Sequence, residues 1–262
     1  MDKVRYVNTR GETINLVKAP LITNTKQFRE FVYEIESGRV KASGEKVFPV
    51  PAALVGNSKT RDKIIDALAY DSEINKPGRL YVNDWFIYCN FAGISAVVAE
   101  TDMGARLDLS FTAPKAEWLR ETVYNLTPDS GETTSGLNMP FNPPFDYSSQ
   151  IKSIKKIENT AVSDADFIFE FSGEAESIDF SIDNTRYIIT SAVSNGEQFY
   201  LNTYTKEVYK SLDGLKVDLF PNTSDDTYIF TPISSGEHTV SWVGDFPVKI
   251  TMLERRRFPK WT

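Results

Sequence analysis

The stretch Met139-Pro-Phe-Asn-Pro-Pro-Phe-Asp-Tyr147 separates two long halves of the chain that are both rich in strand-forming residues. Its three prolines fall within positions 140–144. Each proline fixes its own φ, removes a backbone donor and disfavours helix at the preceding residue. The stretch therefore predicts a stiff, extended joint over 139–147. On either side of it we predict a first domain over 1–138 and a second domain over 148–262.

The charge distribution argues against one class of function and points to one contact. The 262 residues carry a formal net charge of -7, and the pI of about 5.0 argues against a general nucleic-acid binder. Residues 148–253 hold 8 Lys and Arg against 16 Asp and Glu, whereas three arginines crowd positions 255–257. We predict that Arg255–Arg257 anchor the C-terminal segment on an acidic surface of the second domain or of a neighbouring molecule.

The first half predicts a meander of strands with one helix. The helix is expected over Ser58–Tyr70, with Ser58 as its N-cap and an apolar stripe of Ile64, Ile65 and Leu68. Loops are expected over Ser37–Val47 and Asn125–Asn138. The predicted strands are Val4–Val7, Thr13–Val17, Phe28–Glu36, Leu80–Val82, Trp85–Asn90, Ile94–Glu100 and Ala105–Phe111.

The second half predicts about eight short strands at a spacing of about 8–12 residues, which is typical of a β-sandwich. Its apolar residues alternate with polar ones, as in Phe167, Phe169 and Phe171. Further strands are predicted at 178–182, Arg186–Thr190, Phe199–Thr203, Glu207–Tyr209, Leu215–Leu219, Thr227–Thr231, His238–Val243 and Val248–Leu253.

The residue inventory favours a non-enzyme without metal or cofactor. His238 is the single histidine and is too little for a catalytic triad or a zinc site, so a structural role is expected. Cys89 is the single cysteine and is expected to be a buried thiol. Asp213 with Asp225 and Asp226 lacks the spacing of a calcium loop. No signal peptide or stretch of about 18 apolar residues is present, so we expect assembly in a cytoplasm without membrane contact.

One alternative is a sugar-binding surface on the second domain. Trp242, His238 and Tyr228 form the best candidate stacking platform, because exposed aromatic rings can stack on sugars. The opposing interpretation places these side chains in a core or an interface. Exposure of Trp242 distinguishes the two.

Three segments carry a resemblance to the distal tail proteins of long-tailed bacteriophages. Met252-Leu-Glu-Arg-Arg-Arg-Phe-Pro-Lys-Trp261 resembles the Arg-rich ending of that family. Tyr6-Val-Asn-Thr-Arg-Gly-Glu-Thr-Ile14 is similar to its opening hairpin, and Pro77-Gly-Arg-Leu-Tyr-Val-Asn-Asp-Trp85 to its Pro-Gly-x-Leu hairpin. The region from 167 to 261 resembles the family's galectin-like sandwich.

The resemblance implies a mainly β fold with an N-terminal sandwich-like or barrel-like belt domain, one helix, and a C-terminal galectin-like β-sandwich. It implies a virion protein of the phage tail tip, assembled in the host cytoplasm, in which six copies form a ring. The implied partners are the tail tube protein, the tail-tip hub protein and receptor-binding or baseplate proteins. The gaps between the predicted strands leave no room for the long arm or inserted sugar-binding module of some members. The alternative remains a galectin-like carbohydrate-binding module that aids host adsorption.

A closed ring needs two different surface patches on each subunit. In the first domain we expect the ring contacts to come from strand edges, the hairpin turn Asn8–Gly11, the loop Ser37–Val47 and the hairpin turn at Asn83-Asp84.

Overall fold

The computed structural model describes residues 3–24, 26, 28, 35–36, 39–40, 45–129, 152–224 and 228–259. The chain divides into two compact units: unit 1 comprises Met1–Arg120 and Arg255–Thr262, and unit 2 comprises Glu121–Glu254. The predicted joint over 139–147 lies outside the described residues, and the predicted domain limits stay a prediction. The mainly β fold class is confirmed.

Unit 1 contains the helix and the first ten strands, and β11 (Trp118–Leu126) leads from it into unit 2. The elements in order are β1 (Val4–Val7), β2 (Thr13–Asn15), β3 (Val17–Lys18), β4 (Leu21–Thr23), β5 (Ile35–Glu36), β6 (Arg39–Val40), β7 (Lys46–Val55), α1 (Ser58–Glu73), β8 (Gly78–Val82), β9 (Trp85–Thr101) and β10 (Gly104–Ala113).

The main sheet of unit 1 closes on itself at Leu16. Its strand order is β2-β1-β8-β9-β10-β7-β4-β3, so the two outermost strands are β2 and β3. These strands are neighbours in the chain, separated by Leu16 alone. The Leu16 N–H donates to Val4 O at 2.9 Å, and the Leu16 carbonyl accepts from Thr23 N–H at 2.8 Å. Leu16 thus bonds to β1 near one end of the order and to β4 near the other, while it joins the end strands β2 and β3 through the chain, so the arrangement is barrel-like.

The predicted hairpins of unit 1 are present. β1 pairs with β2, and β8 pairs with β9 around Asn83, whose φ of 57° fits the tight turn. The strands predicted at Trp85–Asn90 and Ile94–Glu100 are one continuous strand of 17 residues, β9. The predicted strand Phe28–Glu36 lies largely outside the described residues, and Phe28, though buried, is not in a strand.

Helix α1 is present, but its N-cap is Asn57 and not Ser58. The Asn57 side chain accepts a hydrogen bond from Thr60 N–H at 3.0 Å, which satisfies one of the free donors of the first turn. Leu68 of the predicted stripe is buried. Ile64 and Ile65 are partly buried and pack against the same core.

A carboxylate in the last turns of α1 ties the helix to the sheet. Asp71 is buried and accepts from Tyr6 Oη at 2.6 Å, from Thr9 N–H at 2.9 Å and from Thr9 Oγ1 at 2.6 Å. Burial, and then the hydrogen bond to Asp71, raises the pKa of Tyr6, so the phenol stays a donor. A side-chain Cβ at Gly78 would lie 2.2 Å from Asp71 Oδ2, which explains the glycine of the Pro-Gly-x-Leu segment.

Strand β7 was not predicted, because its prolines argue against a strand inside a sheet. Pro49 and Pro51 lie opposite β10, yet the Pro51 carbonyl accepts from Asn24 N–H on the other side. Since N and O of one strand residue point the same way, both prolines turn their missing donors away from β10. The prolines therefore do not interrupt the ladder to β10, and on the other edge of Lys46–Pro51 two of the N–H groups that an added strand would use are missing.

Unit 2 is a two-layer sandwich, as predicted. One sheet has the order β18-β17-β16-β13-β20 and the other β12-β19-β14-β15. Phe169 and Phe180 come from different sheets and stack at 3.9 Å between ring centres, and Phe180 stacks on Tyr187 at 4.5 Å. The strands are β12 (Lys152–Asn159), β13 (Asp166–Ser172), β14 (Ile178–Ile182), β15 (Thr185–Ile189), β16 (Gln198–Asn202), β17 (Glu207–Leu212), β18 (Leu215–Asp218), β19 (Gly236–Val243) and β20 (Val248–Arg256).

Two details of unit 2 differ from the sequence-based expectation. The described part of the strand predicted at Thr227–Thr231 is a turn. Strand β12 was not predicted, because charged residues break the alternation of its sequence Lys-Ser-Ile-Lys-Lys-Ile-Glu-Asn. It pairs along its whole length with β19, and lysines are typical of edge strands.

We expect Asp71→Ala to lower the free energy of unfolding by about 2–4 kcal/mol, because it leaves the buried Tyr6 hydroxyl and Thr9 N–H without their acceptor. Urea denaturation followed by circular dichroism measures the change. Asp66→Ala, an exposed carboxylate on the same helix, is the matched control and should stay within about 0.5 kcal/mol of the parent. Equal effects of the two substitutions would contradict this role of Asp71.

Candidate assembly surface

Strand β9 consists of two halves with different surroundings. Its first half, Trp85–Cys89, pairs with β8 and is mostly buried. Its second half pairs with β10, and among the described strands no other neighbour is bonded to it there. We call Ala92–Thr101 the β9 edge.

The β9 edge is exposed on both faces. Apart from Gly93, every one of its residues is exposed, including Val97 at 58% and Val98 at 63%. Adjacent residues of a strand point to opposite faces, so both faces of this ribbon meet solvent. The exposed stretch continues to the hairpin tip, where Met103 is 82% exposed.

The β9 edge is also almost uncharged. Its sequence is Ala-Gly-Ile-Ser-Ala-Val-Val-Ala-Glu-Thr, and its single charge, Glu100, pairs with Arg61 at 2.7 Å. Natural edge strands are usually protected by lysine, proline or an overlying element. An apolar, neutral, open edge is therefore a surface suited to pairing with another chain.

Irregular pairing coils this ribbon. The register between β9 and β10 shifts at three places, between Arg106 and Leu107, Asp108 and Leu109, and Ser110 and Phe111. Gly93 adopts φ 133°, which side chains rarely allow. Bulges of this kind bend a strand and increase its twist, so they turn the outer half of β9 away from the regular sheet.

The structure describes only some of the other segments that were predicted to make ring contacts. The turn Asn8–Gly11 rests on α1: Asn8 is buried, and the Arg10 guanidinium lies 3.6 Å from the Tyr70 ring centre. The loop Ser37–Val47 lies partly outside the described residues, and its last two residues begin β7. Whether these segments contact a second subunit stays a prediction.

One residue of the arginine cluster lies beside an aromatic ring of unit 1. Residues Arg255–Thr262 belong to unit 1, where the Arg256 guanidinium lies 5.3 Å from the ring centre of buried Trp85. Arg120 lies 5.2 Å from the same ring. A cation beside an aromatic face is attracted to the ring quadrupole, so Trp85 of unit 1 contributes to holding Arg256. The predicted contact of Arg255–Arg257 with an acidic surface stays a prediction.

His238 has the expected structural role. It is buried, with Nδ1 at 2.6 Å from Asp183 Oδ2 and Nε2 at 2.8 Å from the Ser234 carbonyl. Both ring nitrogens therefore have a hydrogen-bonding partner inside unit 2, which fits a structural role. The hydrogen bonds from Thr239 N–H and His238 lower the pKa of Asp183.

The alternative of a sugar platform is contradicted for two of its three residues, and the opposing interpretation holds for them. Trp242 is 1% exposed and donates from Nε1 to the Phe246 carbonyl at 3.1 Å, so it lies in the sandwich core. His238 is buried as well, and of the three residues only Tyr228 is exposed, at 64%. Because side chains alternate along a strand, His238 and Trp242 lie on the same face of β19. That face packs against the opposite sheet, so both side chains point inward.

The remaining candidates show no reactive centre. Cys89 is fully buried, and desolvation raises its pKa, which makes it the inert thiol that was expected. Within the described ranges, no three side chains of His, Cys, Asp or Glu meet in a way that could hold a metal ion. Asp225 and Asp226 lie outside those ranges. The helices in the described part of the chain fall short of the length and apolar character of a membrane span.

Comparison of the fold with solved structures gives matches along the whole chain. The SPP1 Dit protein, described as a paradigm of the hub adsorption apparatus of phages that infect Gram-positive hosts, aligns with a TM-score of 0.56 and 11% identity, covering 98% of this chain and 99% of that one. The phage P2 baseplate in its activated conformation aligns at 0.61 with Ca and 0.62 with Sr, at 10% identity, covering 99% of this chain and 100% of the matched chains.

The chain has the fold of a phage distal tail protein. The resemblance predicted from short segments is thus confirmed at the level of the fold. No family model and no curated protein sequence matches the chain.

We expect the stability of this fold to respond to acid through Asp183. Because the folded-state pKa of Asp183 is lowered, its contribution is present above the pKa of an unfolded Asp, about 3.9, and is lost as the pH falls through the folded value. Between about pH 4 and pH 2, the free energy of unfolding should therefore fall less steeply for Asp183→Asn than for the parent.

Urea denaturation at a series of pH values measures this slope. Asp213→Asn is the matched control, because Asp213 is also an exposed turn residue of a hairpin, with φ 50° against 51° for Asp183. Parallel slopes for the parent and Asp183→Asn would show that the carboxylate makes no such contribution.

Proposed function

We propose that this protein is a structural component of a phage tail tip, assembled in the host cytoplasm. Six copies form a ring that connects the tail tube to the baseplate or tail-tip hub. The proposal is supported by the distal tail fold, which aligns over nearly all of this chain and of phage Dit and baseplate chains. A subunit of this kind acts through its contacts and needs no catalytic group.

The observation that carries the ring proposal is the β9 edge. The β9 edge spans ten residues, and only its β10 side is paired; its side chains are mostly apolar, and its single charge is paired, so it would be a liability on a free monomer. Pairing with a segment of the next subunit removes this liability. The proline-bearing edge of β7 cannot accept a strand in the same way, so addition is directed to one side of the ribbon.

A closed ring uses one patch on each subunit and a different patch on its neighbour. We assign the β9 edge as the first patch. The second patch remains among the sequence-predicted candidates, the turn Asn8–Gly11, the turn at Asn83-Asp84 and the loop Ser37–Val47.

We expect the double variant Val97→Lys with Val98→Lys to abolish or strongly weaken the hexamer, because it places a cation on each face of the β9 edge. Multi-angle light scattering over a range of protein concentration measures the mass. Val162→Lys is the control, since Val162 is an exposed valine in unit 2, at 94% exposure.

A parent hexamer that is lost in the double variant and kept in Val162→Lys supports the seam. A hexamer that survives the double variant places the ring contact elsewhere. If the parent is monomeric alone, the same measurement is made with the tail tube protein added, and a parent that forms no ring under either condition overturns the proposed function.

A further inference from the structure

An open groove lies at the end of the β17–β18 hairpin in unit 2. It has a volume of about 640 Å³, which is within the range of small-ligand sites. The proposed ring contacts of unit 1 do not include it. Its lining combines aromatic rings with charged side chains of both signs, among them Tyr209, Phe220, Tyr228, Lys206, Glu207, Lys216 and Asp218.

Three aromatic rings form a floor and a wall in this groove. Phe230 is buried, the Phe220 ring lies parallel to it at 5.9 Å, and the Tyr228 ring stands edge-on to it at 5.8 Å. Phe220 and Tyr228 are nevertheless 55% and 64% exposed. Two large aromatic surfaces are therefore presented to solvent at an angle to each other, supported from below by a buried ring.

Both exposed rings pack on Phe230, and hydrogen bonds hold the backbone that carries them. The Phe220 carbonyl accepts from Thr223 Oγ1 at 2.8 Å, and the Tyr228 carbonyl accepts from Thr231 Oγ1 at 2.7 Å. Asp218 Oδ1 accepts from Phe220 N–H at 3.0 Å. Rings that are already ordered lose little conformational freedom when a ligand stacks on them, which favours binding.

The charged groups at the rim are balanced. Lys206 Nζ lies 5.6 Å from the Tyr228 ring centre, and Lys216 Nζ lies 4.0 Å from that of Tyr209. Glu207 and Asp218 supply two carboxylates beside these two ammonium groups. Among the described lining residues, the rim therefore offers both donors and acceptors, and its two positive and two negative charges cancel.

The balance of charge selects the class of ligand. A polyanion is disfavoured, because residues 148–253 carry twice as many acidic as basic residues and the rim supplies no excess of cations. A neutral saccharide has apolar C–H faces that stack on aromatic rings and hydroxyl groups that both donate and accept hydrogen bonds. It matches the aromatic floor and the mixed rim at once.

We propose that this groove binds a neutral saccharide, with Phe220 and Tyr228 as the stacking rings and Lys206, Glu207, Lys216 and Asp218 as the hydrogen-bonding rim. The site is distinct from the Trp242 platform, which is buried. It would give a tail-tip subunit a weak contact with surface sugars, and it does not depend on the ring.

The test titrates the intact protein with maltotriose, cellotriose and chitotriose, and with glycerol 1-phosphate as an anionic probe, up to about 10 mM by ligand-observed NMR, since such contacts lie in the millimolar range. At least one trisaccharide should bind. Tyr228→Ala and Phe220→Ala should each weaken it at least about tenfold, because each removes one stacking ring. Phe258→Ala, an exposed aromatic of unit 1, is the control and should bind like the parent.

Binding that survives both groove substitutions, or no binding by any trisaccharide, overturns the proposal. Stronger binding of glycerol 1-phosphate than of the sugars would overturn the assignment to a neutral ligand. A change of molecular mass in Tyr228→Ala would show instead that the groove is a contact between copies. Because Val97→Lys with Val98→Lys leaves the groove intact, saccharide binding by that double variant separates failure of the ring from failure of this site.

Discussion

The closure of the unit 1 sheet at Leu16 is the constraint on which the rest of that unit depends. One buried residue donates to Val4 and accepts from Thr23, so the first and last strands of an eight-strand order are joined through a single position. Closure removes two sheet edges that would otherwise attract other chains. One strand edge remains open because β9 is longer than the segment that pairs with β8. The outer half of β9 therefore has only β10 beside it. The candidate assembly surface is thus a consequence of how the barrel-like sheet closes.

A second constraint fixes the helix on this sheet. The Asp71 carboxylate accepts three hydrogen bonds from Tyr6 and Thr9, which come from the opening hairpin. The same cluster leaves no room for a side chain at Gly78. Two segments that resemble distal tail proteins, the opening hairpin and the Pro-Gly-x-Leu hairpin, therefore meet at one buried carboxylate. Their likeness has a physical basis in packing around Asp71, although Asp71 itself lies in neither segment.

The two surfaces with proposed roles are both places where apolar side chains remain in solvent. On the β9 edge they accompany open backbone groups and almost no charge, which suits pairing with another chain. In the groove of unit 2 they are aromatic rings with a balanced charged rim, which suits a small polar ligand. The difference in chemistry supports two separate functions, assembly in unit 1 and recognition in unit 2.

The sequence by itself determined the mainly β class, the helix, most hairpins and the structural roles of His238 and Cys89, because alternation, turn residues and composition are local signals. It did not predict β7 or β12. The prolines of β7 are tolerated because their missing N–H groups point away from β10, and the lysines of β12 are tolerated because β12 is an edge strand. It left Trp242 open between a sugar-binding surface and a core, and the packing of one sheet on the other buried it. The β9 edge, the Asp71 cluster and the aromatic groove were decided by tertiary structure alone, since each depends on which distant strands become neighbours.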